Sequence, residues 1–115
     1  MRFISMLAKS KRLTVAAFNR FFKQGRRYHG TFLTLVYTPH DSFYGAVVVG
    51  KKVYRRAVDR NRLRRQLYAT LGTYQDDTHL TGVFQCLVKP AAATATVSVV
   101  RDELATLLAE ATKAR

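Results

Sequence analysis

The sequence predicts a single α+β domain, a small sheet of about four strands packed against helices. Three observations predict it. Runs with helical spacing of apolar residues alternate along the chain with short runs rich in β-branched and aromatic residues. No stretch of Pro, Gly and Ser is long enough to split the chain, and 115 residues suit one domain. Hydrophobic residues make up 48% of the chain, enough to furnish a core. The domain is therefore read as residues 1–115, with residues 1–12 short, basic and loosely ordered.

The elements follow in order. Thr14 caps a first helix that runs to about Gln24, and Gly25 suits the position just past its end. Val15, Phe18 and Phe22 recur at helical spacing and define one face. Thr31 to Thr38 reads as a strand with Leu33, Leu35 and Tyr37 on one side, and Phe43 to Val49 as a second. Thr38 to Ser42, with its Pro-His-Asp, reads as the hairpin loop between them. Lys51 to Tyr54 reads as a short further strand or a bulge. A second helix is expected over Arg56 to Leu71, ended by Gly72, with a polar loop from Gly72 to Thr81. Val83 to Val88 is another strand, stopped by Lys89-Pro90, and Ala91 to Thr96 is a connector. A last helix from about Val97 to Lys113 presents Leu104, Leu107, Leu108 and Ala111 as its apolar stripe. The order is α-β-β-β-α-β-α.

Charge is the unusual quantity. Residues 1–65 hold 16 basic and 2 acidic side chains, a net of +14, whereas residues 66–115 carry a net of −1. A polyanion is the first partner to consider, nucleic acid or an anionic membrane. No apolar run reaches the roughly 18 residues of a membrane-spanning helix, and the start is too short in apolar residues for a secretory signal. The one cysteine, Cys86, has no partner for an internal disulfide and reads as a small buried hydrophobe. The expected setting is cytoplasmic.

The charge concentrates in Lys51-Lys52-Val53-Tyr54-Arg55-Arg56-Ala57-Val58-Asp59-Arg60-Asn61-Arg62-Leu63-Arg64-Arg65, with eight cations and one acid in fifteen residues. On a helix at about 100° per residue, Leu63, Leu67 and Leu71 form one stripe. Asn61, Arg64, Arg65 and Tyr68 fall in a sector largely turned away from it, and Arg62 extends that sector. Arg60 lies near the leucines and projects from the first turn. Guanidinium forks match phosphate oxygens, Asn61 offers a donor and an acceptor, and Tyr68 offers a ring to stack on a base. The bland alternative is a solvated basic face. Eight like charges with so few acids repel one another, which favours a polyanion to relieve them.

At this segment the chain resembles the bacterial ribonuclease P protein family. That family carries a Lys-Lys pair after a strand, an Arg-Asn-Arg core and a basic pair two residues on. Here these are Lys51-Lys52, Arg60-Asn61-Arg62 and Arg64-Arg65, within a matching Val49-Gly50 and Arg55-Arg56-Ala57-Val58 context. Arg12-Leu13, the Phe18, Phe22, Gly25 spacing, Tyr37, Lys89-Pro90-Ala91 and the final leucines agree in order. Tyr68-Ala69 departs from the family's usual Arg-Glu, and Gly82 lies where an acid usually precedes the later strand.

The resemblance implies a fold with a left-handed β-α-β crossover, against the general right-handed preference. It implies a non-catalytic protein subunit of a ribonucleoprotein endonuclease, a hydrolase that removes the 5′ leader of precursor tRNA. In that reading Lys51, Lys52, Arg55, Arg56, Arg60, Asn61, Arg62, Arg64, Arg65 and Tyr68 meet the catalytic RNA. Arg12, Phe18, Phe22 and Tyr37 line a cleft for the leader. Magnesium is expected on the RNA, and no cofactor, metal, membrane or DNA is expected for the protein. From spacing alone, Phe18, Phe22 and Tyr37 read first as core packing, and it is the resemblance that brings the cleft reading level with it.

A protein nuclease would want paired histidines, a His-Lys set or clustered carboxylates. His29, His40 and His79 are scattered, Asp76-Asp77 reads as solvated, and Asp102-Glu103 reads as acids favouring a helix dipole. No zinc pattern, phosphate loop or dinucleotide fingerprint occurs. A structural RNA-binding protein, such as a ribosomal component, shares the same small basic composition and stands as the alternative.

Overall fold

Three sets of apolar side chains meet in one core in the computed structural model, which describes residues 12–113. The expectation of a loose start covers residues 1–12: residues 1–11 lie outside the described ones, and Arg12 is tied down by a β-bridge to Gly45. From the chain's centre, helix α2 (Ala57–Thr78) supplies Leu63, Leu67 and Leu71, each at most 2% exposed. Helix α3 (Val97–Lys113) supplies Val100, Leu104, Leu107, Leu108 and Ala111. The sheet supplies Leu33, Leu35, Tyr37, Phe43, Val47, Phe84, Cys86 and Val88. Both expected leucine stripes therefore face inward, as an amphipathic helix on a sheet requires.

The sheet has four strands in the order β1-β2-β4-β3. These are β1 (Arg26–His29), β2 (Leu33–Thr38), β3 (Phe43–Val48) and β4 (Gly82–Val88). β2 pairs antiparallel with both β1 and β4, with Leu35 opposite Cys86. β3 and β4 run parallel, with Val47 opposite Cys86, and α2 forms the long connection that a parallel pair needs. Phe84 sits at the centre of the core, with the rings of Tyr37 and Phe43 each 5.0 Å away and Tyr74 edge-on at 6.4 Å.

Helix α1 (Val15–Gln24) crosses the opposite face of the sheet. The Thr14 hydroxyl accepts the Ala17 N–H, as the capping prediction requires. Gly25 ends the helix in extended rather than left-handed backbone, with φ −74°. Its lack of a side chain matters for another reason: a Cβ there would lie 2.4 Å from Val36 Cγ1. α1 is expected to show Val15 with Phe18 and Phe22, but Val15 is 80% exposed, and Phe21 is half-buried, its ring edge-on to His40.

Two expectations shift. The element order stands, yet its third strand is β1, not Lys51 to Tyr54. Lys51 to Val53 form a turn instead, closed by the Val53 N–H donating to Gly50 O at 3.1 Å. β1 is Arg-Arg-Tyr-His, an edge strand whose charges hide the usual apolar alternation. α2 does not stop at Gly72. It continues through the expected loop to Thr78, where His79 caps it in the left-handed region at φ 56°. A helical Gly costs about 1 kcal/mol. Tyr74, two residues on, offsets that by packing on Phe84 and bonding the Thr112 hydroxyl at 2.9 Å.

Cys86 is fully buried, and burial, with the nearby Glu103 charge, pushes its thiol up to about 12. Only the thiolate reacts with alkylating agents. The expected result at pH 8 is negligible labelling of native protein by iodoacetamide and full labelling once denaturant unfolds it. Mass spectrometry of the quenched protein reads both.

Candidate nucleic-acid interface

The basic segment begins on the turn after β3. Val53 is buried and anchors that turn, so Lys51 and Lys52 stand exposed on it. Arg56 precedes α2 in extended backbone with no side-chain cap. The first turn is organised by its own charges instead. Asp59 takes Arg56 at 3.0 Å and Arg62 at 3.8 Å. Arg60 Nη1 donates to the carbonyls of Tyr54 and Arg55 at 3.1 and 2.8 Å, which folds the incoming chain onto the helix. Arg60 thus points back to the backbone, consistent with its place beside the leucines.

Beyond this turn the outer face opens. Arg64 donates to Asn61 Oδ1 at 2.5 Å, joining these two at adjacent turns of one face. Asn61, Arg62 and Arg65 are exposed, while Leu63 and Leu67 beneath them are buried. The exposed cations Lys51, Lys52, Arg55, Arg56, Arg62 and Arg65, with half-buried Arg64, therefore occupy one rigid turn-and-helix surface.

Tyr68 does not share that surface as expected. Its ring is half-buried, and its hydroxyl accepts the Val47 N–H of β3 at 3.2 Å. The Arg12 guanidinium lies over the ring at 4.5 Å. Tyr68 is therefore turned from the outer face toward the free edge of β3. The same edge receives the Leu13 N–H at Gly45 O, 3.3 Å. Sector geometry placed Tyr68 away from the leucines but was blind to what the neighbouring strand would present.

Phe18 and Phe22 stack at 5.7 Å with 14° between their planes, and both are half-exposed. Phe18 lines a hollow of about 280 Å³ with Leu13, Ala46, Val48 and Tyr68. Arg12 reaches this side through Tyr68. Tyr37 does not join them. It is 5% exposed on the other face of the sheet, against Phe84, because successive strand residues alternate faces and its neighbour Val36 is the one beneath α1. Gly82, at φ 135°, leaves room for the Tyr37 ring, since a Cβ there would lie 2.5 Å from Tyr37 Cε1.

Two residues that the pattern did not single out shape the cleft. Gln85 is fully buried in β4 and donates from Nε2 to Phe18 O at 2.8 Å, fixing α1 across the sheet. Its signal was a polar residue inside the apolar run 83–88. Arg27, exposed on β1, lies over the Phe22 ring at 4.3 Å and donates to Phe22 O at 3.3 Å. Among the described residues no three His, Cys, Asp or Glu side chains are placed to hold a metal ion, and no helix is long and apolar enough to cross a membrane.

Comparison with known proteins bears on the family and the fold. A family model described as Ribonuclease P matches residues 7–112. The ribonuclease P protein component of Microcystis aeruginosa (strain NIES-843 / IAM M-2473) is 39% identical over 61 residues, 47% of this chain and 50% of that protein, so the match spans about half of that relative's length. Two solved structures share the fold. A Staphylococcus aureus RNase P protein mutant with defective mRNA degradation activity superposes with a TM-score of 0.80 at 23% identity, covering 90% of each chain. The RNase P protein from Thermotoga maritima gives 0.71 at 19% identity, covering 84% of this chain and 94% of that one. With the family model spanning nearly the whole chain and the same four-stranded sheet with three helices, this chain belongs to the ribonuclease P protein family.

Proposed function

We propose that this protein is the protein subunit of a ribonucleoprotein ribonuclease P, aiding removal of the 5′ leader from precursor tRNA without supplying catalytic groups. The observation that carries the reading is the exposed cationic surface of Lys51, Lys52, Arg55 and the outer face of α2, held rigid by buried Val53, Leu63 and Leu67. It carries a single acid, Asp59, already engaged by Arg56 and Arg62. Such a surface suits the phosphates of a folded RNA, with guanidinium forks as the ligands. The catalytic RNA docks there, and its hydrolysis runs on magnesium held by the RNA.

The leader lies on the flank of α1 that carries Phe18 and Phe22. Half-exposed stacked rings give a single strand a sequence-tolerant platform, and Arg12 and Arg27 supply cations beside it. Mature tRNA lacks the leader, so this contact favours substrate over product. Tyr37, in the core, has no part in it. Replacing Phe22 by Ala is expected to weaken precursor binding by about tenfold, since base–aromatic stacking is worth roughly 1–3 kcal/mol. Mature tRNA binding should be unchanged. Titration of the assembled enzyme with both RNAs measures this, and equal losses would assign Phe22 to packing.

A further inference from the structure

None of the residues of α1 is buried, although the helix carries three phenylalanines. At about 100° per residue, Phe22 turns to one flank, Phe21 and Ala17 turn to the other, and Phe18 lies between. The leader reading uses the first flank only. On the second flank a hollow of about 300 Å³ is lined by Ala17, Arg20 and Phe21 of α1, by His40 and Tyr44 across from them, and by Arg12 at the start of the chain's described part. That volume is at the small end of ligand pockets, roughly 300–1,000 Å³.

The rings in this hollow are arranged around His40. Phe21 meets it edge-on at 5.8 Å and 83°, and Tyr44 at 5.3 Å and 84°. The Ser42 N–H donates to His40 Nδ1 at 3.0 Å. Nδ1 is therefore the acceptor, and the ring proton sits on Nε2 as a fixed donor. Arg20 is exposed with its guanidinium 4.9 Å from the Phe21 ring centroid, and among the described residues it has no ion pair. Arg12 and Arg20 are the charged residues of this lining, and none is acidic. Asp41, next in the chain to His40, lines a separate hollow with Asp76 and His79. A cluster built only for packing would bury its rings; here Phe21 and Tyr44 are half-exposed and His40 is exposed.

We propose that this hollow is a second RNA contact, a pocket for one unstacked nucleotide of single-stranded RNA. The base packs against the Phe21, His40 and Tyr44 rings, and its phosphate pairs with Arg20. The inference rests on the RNA-binding reading above. The nucleotide comes from a stretch of the leader that has passed over α1, or from an unpaired position of the catalytic RNA. The chemistry is the same, and the two sources separate by experiment.

The test uses full-length protein with the catalytic RNA and with precursor tRNAs of short and long leader. The variants are Arg20→Gln, Tyr44→Ala and Tyr44→Phe. Tyr44→Ala is expected to weaken one of the two RNA interactions by about tenfold, Arg20→Gln by severalfold, and Tyr44→Phe, which keeps the ring, by little. A loss confined to long-leader precursors identifies the leader, and a loss in binding the catalytic RNA itself identifies that RNA. Ultraviolet crosslinking of the wild-type complex should place a nucleotide adduct on the peptide carrying His40 and Tyr44. Because Arg20 is exposed, its variant reads the site even if Tyr44→Ala fails to fold. Unchanged affinities for Arg20→Gln with no adduct on that peptide overturn the proposal. If Arg64 and Arg65 substitutions still weaken RNA binding in that case, only this pocket falls; if they too have no effect, the RNA-binding reading itself falls.

Discussion

Replacing Arg64 and Arg65 together by glutamine is expected to weaken binding of the catalytic RNA by ten- to a hundredfold at moderate salt. A hydrogen bond to a charged group is worth roughly 1.5–3 kcal/mol, and phosphate contacts are of this kind. Both arginines sit on the outer face of α2, and neither is ion-paired among the described residues. Their loss should leave the core untouched, since Leu63 and Leu67 beneath carry the packing. The salt dependence separates this from a fold defect. Each lost phosphate contact lowers the log–log slope by about 0.9, or less on irregular RNA, so the double variant should flatten it by up to about 1.8. Filter binding over a salt series measures both quantities. A tenfold loss with an unchanged slope would mean that the arginines do not meet phosphates.

The second large effect is on stability. Glu103→Ala is expected to destabilise the protein by about 2–4 kcal/mol. From α3, the Glu103 carboxylate accepts the backbone N–H groups of Thr31, Phe32 and Leu33 at 2.9, 2.8 and 2.7 Å. These are the donors of the turn between β1 and β2, and those of Phe32 and Leu33 are partly buried. Truncation leaves them without an acceptor, and an unmet buried donor costs roughly 1–3 kcal/mol. Lys89 holds the same turn from just past β4, its Nζ donating to Gly30 O at 2.6 Å. The melting temperature should fall by on the order of 10 °C, with Glu103→Gln in between because one oxygen remains. A shift under about 2 °C would show that water replaces the carboxylate without penalty.

This residue also shows what the sequence could not carry. Asp102-Glu103 reads from sequence as acids near a helix start, favoured by the dipole. Glu103's actual partners are some 70 positions away in the chain, and no local pattern encodes such a meeting. What repeats locally was legible. The Leu63, Leu67, Leu71 and Leu104, Leu107, Leu108 stripes, the Thr14 cap, the two central strands and the class of fold all follow from periodicity and capping. β1 was not legible because an exposed edge strand of Arg-Arg-Tyr-His has no apolar alternation to read. Gly72 misled because its local preference is outweighed by Tyr74 packing beyond it.

The candidate site divides in the same way. The outer face of α2 follows from helical spacing, because one helix settles which residues share a side. Tyr68 and Tyr37 do not follow, because their surroundings depend on tertiary neighbours: the free edge of β3 for one, the Phe84 side of the sheet for the other. A single residue's step along a strand puts Val36 beneath α1 and Tyr37 on the Phe84 side of the sheet. Charge pointed to a polyanion, and the family model named the family.

The most direct measurement of the central claim is processing of precursor tRNA by the cognate catalytic RNA at low magnesium, with and without this protein. Scarce magnesium leaves the repulsion between the two RNAs least screened, so the basic surface then matters most. The account predicts that the protein raises cleavage rate and precursor affinity there, and that the gain shrinks as magnesium rises. No gain at low magnesium, or cleavage by the protein after all RNA has been removed, would contradict it.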